Sequence, residues 1–356
     1  MAFGDEPLTL SRAPVMDRRI AAGRLALGAV GLLIGGAFAG LAVEAMRQGP
    51  GAFAAFDTYL LRIARFTLWQ ALLSTVLSVV PAILLARALA RHPVFPGRAF
   101  ILRLFAVPLA LPAIVAALGV LALYGRAGFF APVFSAILDA RWPGIYGLSG
   151  ILVAHVFFNM PLAARLFLNA LESVPADQWR LAAQLGMGAR ASFRFLEWPA
   201  MRAALPGIAG LVFMLCVTSF TIVLLLGGGP RATTLEVAVY QALRFDFDLG
   251  RAVALALVQL CLCGAIVLAV LQLAVPSSMT LTEGRIYERP DTGGRLGLSL
   301  DAGAIIVTLG LVVLPLAAVA VAGFNATTLE VLTRWTLWRA VGQSLVIALS
   351  AGTLAL

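Results

Sequence analysis

Long stretches without a charged residue constrain this chain more than any other feature of its sequence. A helix needs about 20 apolar residues to cross the hydrocarbon core of a bilayer. With 61% hydrophobic and 12% charged residues, the chain is also too apolar for a water-soluble core. The sequence therefore predicts an all-α integral membrane protein, a polytopic helical bundle of about eight spans. The charge-free stretches lie between Arg24 and Glu44, Arg65 and Arg87, Arg103 and Arg126, Arg141 and Arg165, Arg202 and Arg231, Arg251 and Glu283, Asp301 and Glu330, and after Arg339.

The distribution of arginine predicts how these spans are oriented. All 26 basic residues are arginine, and 16 of them fall on the side of the N-terminus when the spans alternate. Because arginine is enriched in cytoplasmic loops, we expect a multi-pass protein of the bacterial inner membrane with a cytoplasmic N-terminus. The same distribution accounts for the net charge of +9 without nucleic-acid binding. The expected spans lie near 24–44, 66–90, 99–124, 146–170, 203–227, 251–275, 302–323 and 337–356.

The composition changes after the sixth span and suggests two repeats. Residues 276–300 are rich in charged and turn-forming residues and read as a cytoplasmic linker. The sequence Thr-Leu-Trp-Gln-Ala at 67–71 recurs as Thr-Leu-Trp-Arg-Ala at 336–340. We therefore expect a tail at 1–23, which precedes a retained anchor rather than a signal peptide. A first six-span repeat at 24–275, the linker, and the incomplete start of a second repeat at 301–356 then follow.

The cytoplasmic loop at 171–206 is long and patterned to fold into two short helices. Pro175 suits the first turn of a helix and Gly186 suits its end. A second helix is expected from Ala189 to Glu197, ending before Pro199. The apolar side chains of this loop predict a docking platform, although an ordinary amphipathic connector would have a similar pattern.

At this loop the chain resembles the membrane subunits of binding-protein-dependent ABC importers. Their loop begins with Glu-Ala-Ala, followed by a glycine four residues later and a proline thirteen residues beyond it. The corresponding residues here are Arg180, Leu181, Ala182, Gly186, Phe193 and Pro199, so the glutamate and the first alanine of the motif are missing. The resemblance implies the type I importer fold and makes these six residues the contact with a cytoplasmic ATPase.

Residues 181–259 are most similar to fused, two-repeat permeases of thiamine importers. The matching segments include 193–199, 226–230 and 233–243. This resemblance implies import of thiamine or its phosphate esters, delivered by a periplasmic binding protein. Fused iron(III) importer permeases share the architecture and remain the alternative.

No segment of the chain has the chemistry for ATP hydrolysis. The phosphate-binding loop of ATPases ends in a lysine, and the chain contains none. We therefore expect no enzymatic activity, no cofactor and no metal site in this chain, and hydrolysis by separate ATPase subunits. The charge-free stretches hold one histidine and no acidic residue, which disfavours a proton-driven secondary transporter. A membrane scaffold is a further alternative.

Two groups of residues are candidates for contacts with substrate or binding protein. Aromatic and polar side chains in the fourth span could line a path for a cation, although such a histidine is more often a hydrogen bonder between helices. By the resemblance, the loop after the fifth span would meet the binding protein, and a simple loop cap is the alternative. The path candidates are His155, Phe157, Phe158 and Asn159, and the binding-protein candidates are Gly228, Gly229, Glu236 and Tyr240.

Overall fold

The computed structural model describes residues 15–47, 58–229, 232–273, 294–324 and 326–355, and these ranges contain helices but no strand. The predicted all-helical class is confirmed. The α-helices in chain order are α1 (Val15–Arg47), α2 (Thr58–Arg91), α3 (Arg98–Leu104), α4 (Val107–Ala110), α5 (Ala113–Tyr124), α6 (Ala131–Leu138), α7 (Leu148–Glu172), α8 (Ala176–Gln184), α9 (Ala189–Ser192), α10 (Trp198–Val217), α11 (Phe220–Leu226), α12 (Leu235–Arg244), α13 (Leu249–Leu273), α14 (Gly294–Gly323), α15 (Ala326–Thr333) and α16 (Trp335–Ala355).

Six helical segments are long and apolar enough to cross a membrane, and a bent pair raises the number to seven. The bent pair takes the place of the third span expected at 99–124, and the helix direction changes by 108° between Ala110 and Ala113. Pro112 lacks an N–H and disfavours helix at Leu111, whose ψ is 138°. The expected eighth span forms α16, which has 21 residues but includes Arg339 and Gln343 and is not among these six segments.

Small residues let the central helices approach closely. α2 packs along α7 and α10, and alanines fill the contact because their small methyl side chains let the helix axes approach closely. α14 crosses α5 and α2, and at Gly119 a Cβ atom would lie 2.6 Å from the carbonyl oxygen of Pro315. The first helix of the predicted second repeat thus packs on the first repeat. The fully buried alanines of α2 and α7 include Ala71, Ala82, Ala86, Ala163 and Ala164.

The loop at 171–206 folds as expected in its first half and differently in its second. Pro175 precedes α8, and Gly186 lies two residues after its last residue and has φ +64°. The second helix does not end before Pro199. It continues through a π-helical turn at Phe193–Glu197 into α10, with Pro199 in the first turn. A proline is tolerated there because the N–H of a first-turn residue needs no partner within the helix.

A short helix packs into the opposite end of the bundle. α12 and α13 form a hairpin, and both contact α2 or α10. Leu235, the first residue of α12, is fully buried in a cluster with Leu60 and Leu255. The loop after the fifth predicted span therefore contains a short helix whose first turn lies inside the protein.

Candidate functional site

The first helix of the loop presents an apolar face to solvent. Leu181 and Leu185 are 56% and 69% exposed, whereas Trp179 and Ala182 point into the protein and are 5% and 2% exposed. Arg180 is exposed and its guanidinium lies 3.2 Å from the Asp177 carboxylate one turn earlier. Of the predicted contact residues in α8, two therefore face outward, and Ala182 anchors the helix to the bundle.

Gly186 forms the turn between the two halves of the loop. Its φ of +64° is in the left-handed region that L side chains rarely adopt. A Cβ atom there would meet no heavy atom within 4 Å, so space does not require the glycine. The backbone conformation alone selects glycine at this turn.

The second half of the loop is tied to α2 by a buried ion pair. The Arg87 Nε donates to Glu197 Oε2 at 2.6 Å, and the Glu197 side chain is fully buried. The Arg87 guanidinium also lies 4.2 Å from the centre of the Phe193 ring. Phe193 and Glu197 begin and end the π-helical turn, and Pro199 follows it exposed. Sequence reasoning named Phe193 but missed Arg87 and Glu197, because no spacing shows that α2 lies beside the loop.

A second group of charges joins α2 to α14 near the same end of the bundle. The Asp301 carboxylate lies 3.4 Å from the Arg91 guanidinium and 3.2 Å from the His92 Nε2. Asp301 is 7% exposed. The predicted linker ended at residue 300, and α14 begins within it at Gly294. The contact therefore connects the last turn of α2 to the predicted second repeat.

Polar side chains meet in the interior between α2, α7 and α10. The Ser74 hydroxyl lies 2.8 Å from the His155 Nδ1, and the Asn159 amide donates to the Cys216 sulfur at 3.3 Å. The Gln70 amide donates to the Cys216 carbonyl at 2.9 Å.

The four path candidates belong to this interior. His155 and Phe157 are 1% and 0% exposed, Asn159 is 4% exposed, and Phe158 is partly exposed beside Phe157. These contacts fit the reading of His155 as a hydrogen bonder between helices, and the path remains a prediction.

The four residues that are candidates for contact with the binding protein lie at the end of the bundle remote from the loop, and they form two pairs. Gly228 and Gly229 are exposed, with φ of +68° and +135°. Glu236 and Tyr240 are half-buried on α12. Burial raises the pKa of the Glu236 carboxyl to about 7, because the charged form loses solvation. The structure thus exposes the glycine turn and withdraws the carboxylate from the surface.

The family of the chain follows from its sequence and from its fold. Residues 80–286 match the family model described as binding-protein-dependent transport system inner membrane component. This segment contains the loop and both ends of the bundle. The chain belongs to this family of ABC importer permeases.

Curated relatives cover nearly all of the chain. It is 53% identical over 339 residues to the thiamine transport system permease protein ThiP of Brucella abortus strain 2308, which is 94% of this chain and 62% of the relative. It is 50% identical over 302 residues to the protein of the same name from Escherichia coli K12, which is 84% of this chain and 55% of that protein. The chain therefore spans about three fifths of the length of these relatives.

A solved structure supports the fold. A bacterial ABC transporter involved in import of the acidic polysaccharide alginate contains a chain that matches with a TM-score of 0.61 and 15% identity. The match covers 73% of this chain and 96% of that one. At this identity the likeness concerns the fold alone, which is that of an ABC importer permease.

Proposed function

We propose that the chain is the membrane-spanning permease of a thiamine importer, which moves thiamine or its phosphate esters from a periplasmic binding protein into the cytoplasm. The observation that carries this proposal is the 53% identity to a thiamine permease across 94% of the chain. Transport is driven by separate ATPase subunits, since the chain has no lysine for a phosphate-binding loop.

The geometry of the loop supplies a route for coupling. An ATPase subunit docks on the exposed face around Leu181 and Leu185, next to Arg180. Movement of the loop reaches α2 through Arg87, which contacts both Phe193 and Glu197. Because α2 packs along α7 and α10, displacement of its end changes the central packing. Coupling through a chain of rigid contacts of this kind needs two discrete arrangements of the bundle.

The same proposal places the two ends of the bundle on opposite sides of the membrane. The arginine distribution puts the N-terminus and the loop at 171–206 in the cytoplasm. The exposed turn at Gly228 and Gly229 then faces the periplasm and contacts the binding protein. The first repeat ends near residue 275, and the second begins near 301, where Asp301 contacts Arg91.

Uptake of labelled thiamine beside labelled iron(III) tests this function. The permease is reconstituted in proteoliposomes with its ATPase and the cognate binding protein. We expect thiamine uptake that requires ATP and the binding protein, and no uptake of iron(III). Iron uptake without thiamine uptake would identify a fused iron(III) permease instead. Thiamine uptake without the ATPase would identify a secondary transporter.

A further inference from the structure

The Glu236 carboxylate lies inside the end of the bundle that is remote from the loop at 171–206. Glu236 follows Leu235, whose backbone N–H donates to the Thr67 hydroxyl at 3.0 Å. Thr67 lies nine residues after the start of α2, about 14 Å along a helix that rises 1.5 Å per residue. The first turn of α12 therefore enters the bundle. Ionisable groups in such places are costly and are usually retained for function.

Glu236 has no cationic partner within the part of the chain that the structure describes. No arginine or histidine there lies within 4 Å of its carboxylate. Arg251, at the start of the neighbouring α13, lies instead over the Tyr59 ring at 4.5 Å. The buried Gln259 Oε1 of α13 also lacks a hydrogen-bond donor among the described residues. Cys263, one turn beyond Gln259, is within electrostatic range of Glu236.

Two aromatic rings lie near Glu236 along α12 and the neighbouring α11. Tyr240 lies one turn after Glu236 on the same face of α12, because residues four apart are neighbours on a helix. Its ring packs edge-to-face with Phe220 at 5.1 Å between centroids. Aromatic faces attract cations through their negative quadrupole. A carboxylate one helical turn from an aromatic ring that packs on a second ring is a chemical environment suited to an organic cation.

A break in the helical backbone adjoins the rings. The fifth span is interrupted between α10 and α11 at Thr218 and Ser219, directly before Phe220. The Thr218 side chain is exposed. At membrane depth, non-helical backbone is tolerated where it is buried in protein or lines a water-filled cavity. The Thr218 hydroxyl donates to the Met214 carbonyl at 2.9 Å, and because the side chain is exposed rather than buried in protein, the break is suited to face a water-filled path beside Phe220.

We propose that Glu236, together with Tyr240 and Phe220, binds the positively charged heterocycle of the substrate as it enters the permease. This assignment rests on the proposed import of thiamine, whose thiazolium ring is a permanent aromatic cation. The carboxylate offsets the charge, and the two rings contact the flat heterocycle. A bound cation would also favour the ionised form of Glu236 at neutral pH. In this assignment Glu236 and Tyr240 contact the substrate inside the permease. The exposed turn at Gly228 and Gly229 remains the predicted contact with the binding protein.

The test measures thiamine uptake and ATP hydrolysis in the same proteoliposomes. For Glu236→Gln we expect uptake to fall by at least about tenfold, the lower range for loss of a charged hydrogen-bonding partner. Stimulation of ATP hydrolysis by the loaded binding protein should stay near the wild-type value. Glu236→Asp should keep part of the uptake because it keeps the charge. Tyr240→Leu should reduce uptake, whereas Tyr240→Phe keeps the ring face and should not.

Matched controls separate this assignment from its alternatives. Asp246→Asn removes an exposed carboxylate just after the same helix and should leave uptake unchanged. Normal uptake in Glu236→Gln would overturn the assignment. Joint loss of uptake and of stimulated ATP hydrolysis would also overturn it, by assigning Glu236 to assembly or docking. A wild-type complex that moves no thiamine would refute the proposed substrate, and the assignment of Glu236 with it.

Discussion

The charged side chains at the two ends of the helical bundle differ in whether they contact an opposite charge. At the end near the loop at 171–206, buried or partly buried charges lie in contact with opposite charges. Arg87 contacts Glu197, and Asp301 lies near both Arg91 and His92. At the other end, Glu236 is half-buried with no cation within ion-pair distance among the described residues.

This difference fits two mechanical tasks. Paired charges in a low-dielectric contact fix the relative position of two elements, because separating them leaves costly buried charges. Such contacts can move α2 together with the loop. A carboxylate without a fixed counter-charge can instead accept a cation from outside. Under the proposed function, this difference fits transmission of movement at the end near the loop at 171–206 and recognition of the substrate at the other end.

The largest expected effect comes from breaking the paired end. Arg87→Met removes the guanidinium that contacts the buried Glu197 carboxylate, and we expect a loss of about 3–5 kcal/mol in stability. The double variant Arg87→Met/Glu197→Met should recover most of this loss, because neither charge is then buried. The measurement is the melting temperature of the purified permease in detergent, with unfolding monitored by tryptophan fluorescence.

An exposed ion pair at the same end is the control for this prediction. Arg98 lies 2.8 Å from Glu172, whose side chain is 51% exposed. Arg98→Met should cost no more than about 1 kcal/mol, as is usual for pairs in contact with solvent. Equal melting temperatures for Arg87→Met and Arg98→Met would show that burial does not distinguish the two contacts, and the proposed route through Arg87 would fail.

Much of the architecture could be predicted from the sequence, because membrane spans have a simple composition. The helical class is confirmed. A proline in the third span does not by itself predict the full break near Pro112, since a proline can also be accommodated within a continuous helix, as Pro161 is in α7. Only the surrounding packing decides between these outcomes.

The site was less predictable than the fold. Gly186 was correctly placed at a turn, because a short helix followed by glycine has a local signature. Arg87 was not found, because its partner is 110 residues away in sequence. Glu236 was predicted on the outer surface, and its half-burial depends on the contact of α12 with α2, which no local pattern encodes.

A smaller effect is expected at the Gly186 turn of the loop at 171–206. It tests whether this turn takes part in the proposed coupling route. Gly186→Val places a branched residue at φ +64°, at a cost of about 1–2 kcal/mol. We expect uptake to fall by roughly tenfold, the change in population that corresponds to this energy, with normal membrane insertion. Gly188→Ala is the matched control, since Gly188 has φ −76° and equally open surroundings. Normal uptake in Gly186→Val would remove this turn from the coupling route.

The most local effect is expected where α12 enters the remote end of the bundle. The Thr67 hydroxyl accepts from the Leu235 N–H and donates to the Ile63 carbonyl. Thr67→Val removes the acceptor and leaves a buried N–H without it, which costs about 1–3 kcal/mol. Thr75→Val is the control, because the Thr75 hydroxyl donates to Ala71 within its own helix. Hydrogen exchange should show faster opening of α12 in Thr67→Val and no change in Thr75→Val. If both variants exchange alike, the remote end is not held by this bond, and the position of Glu236 must depend on the apolar packing of Leu235 alone.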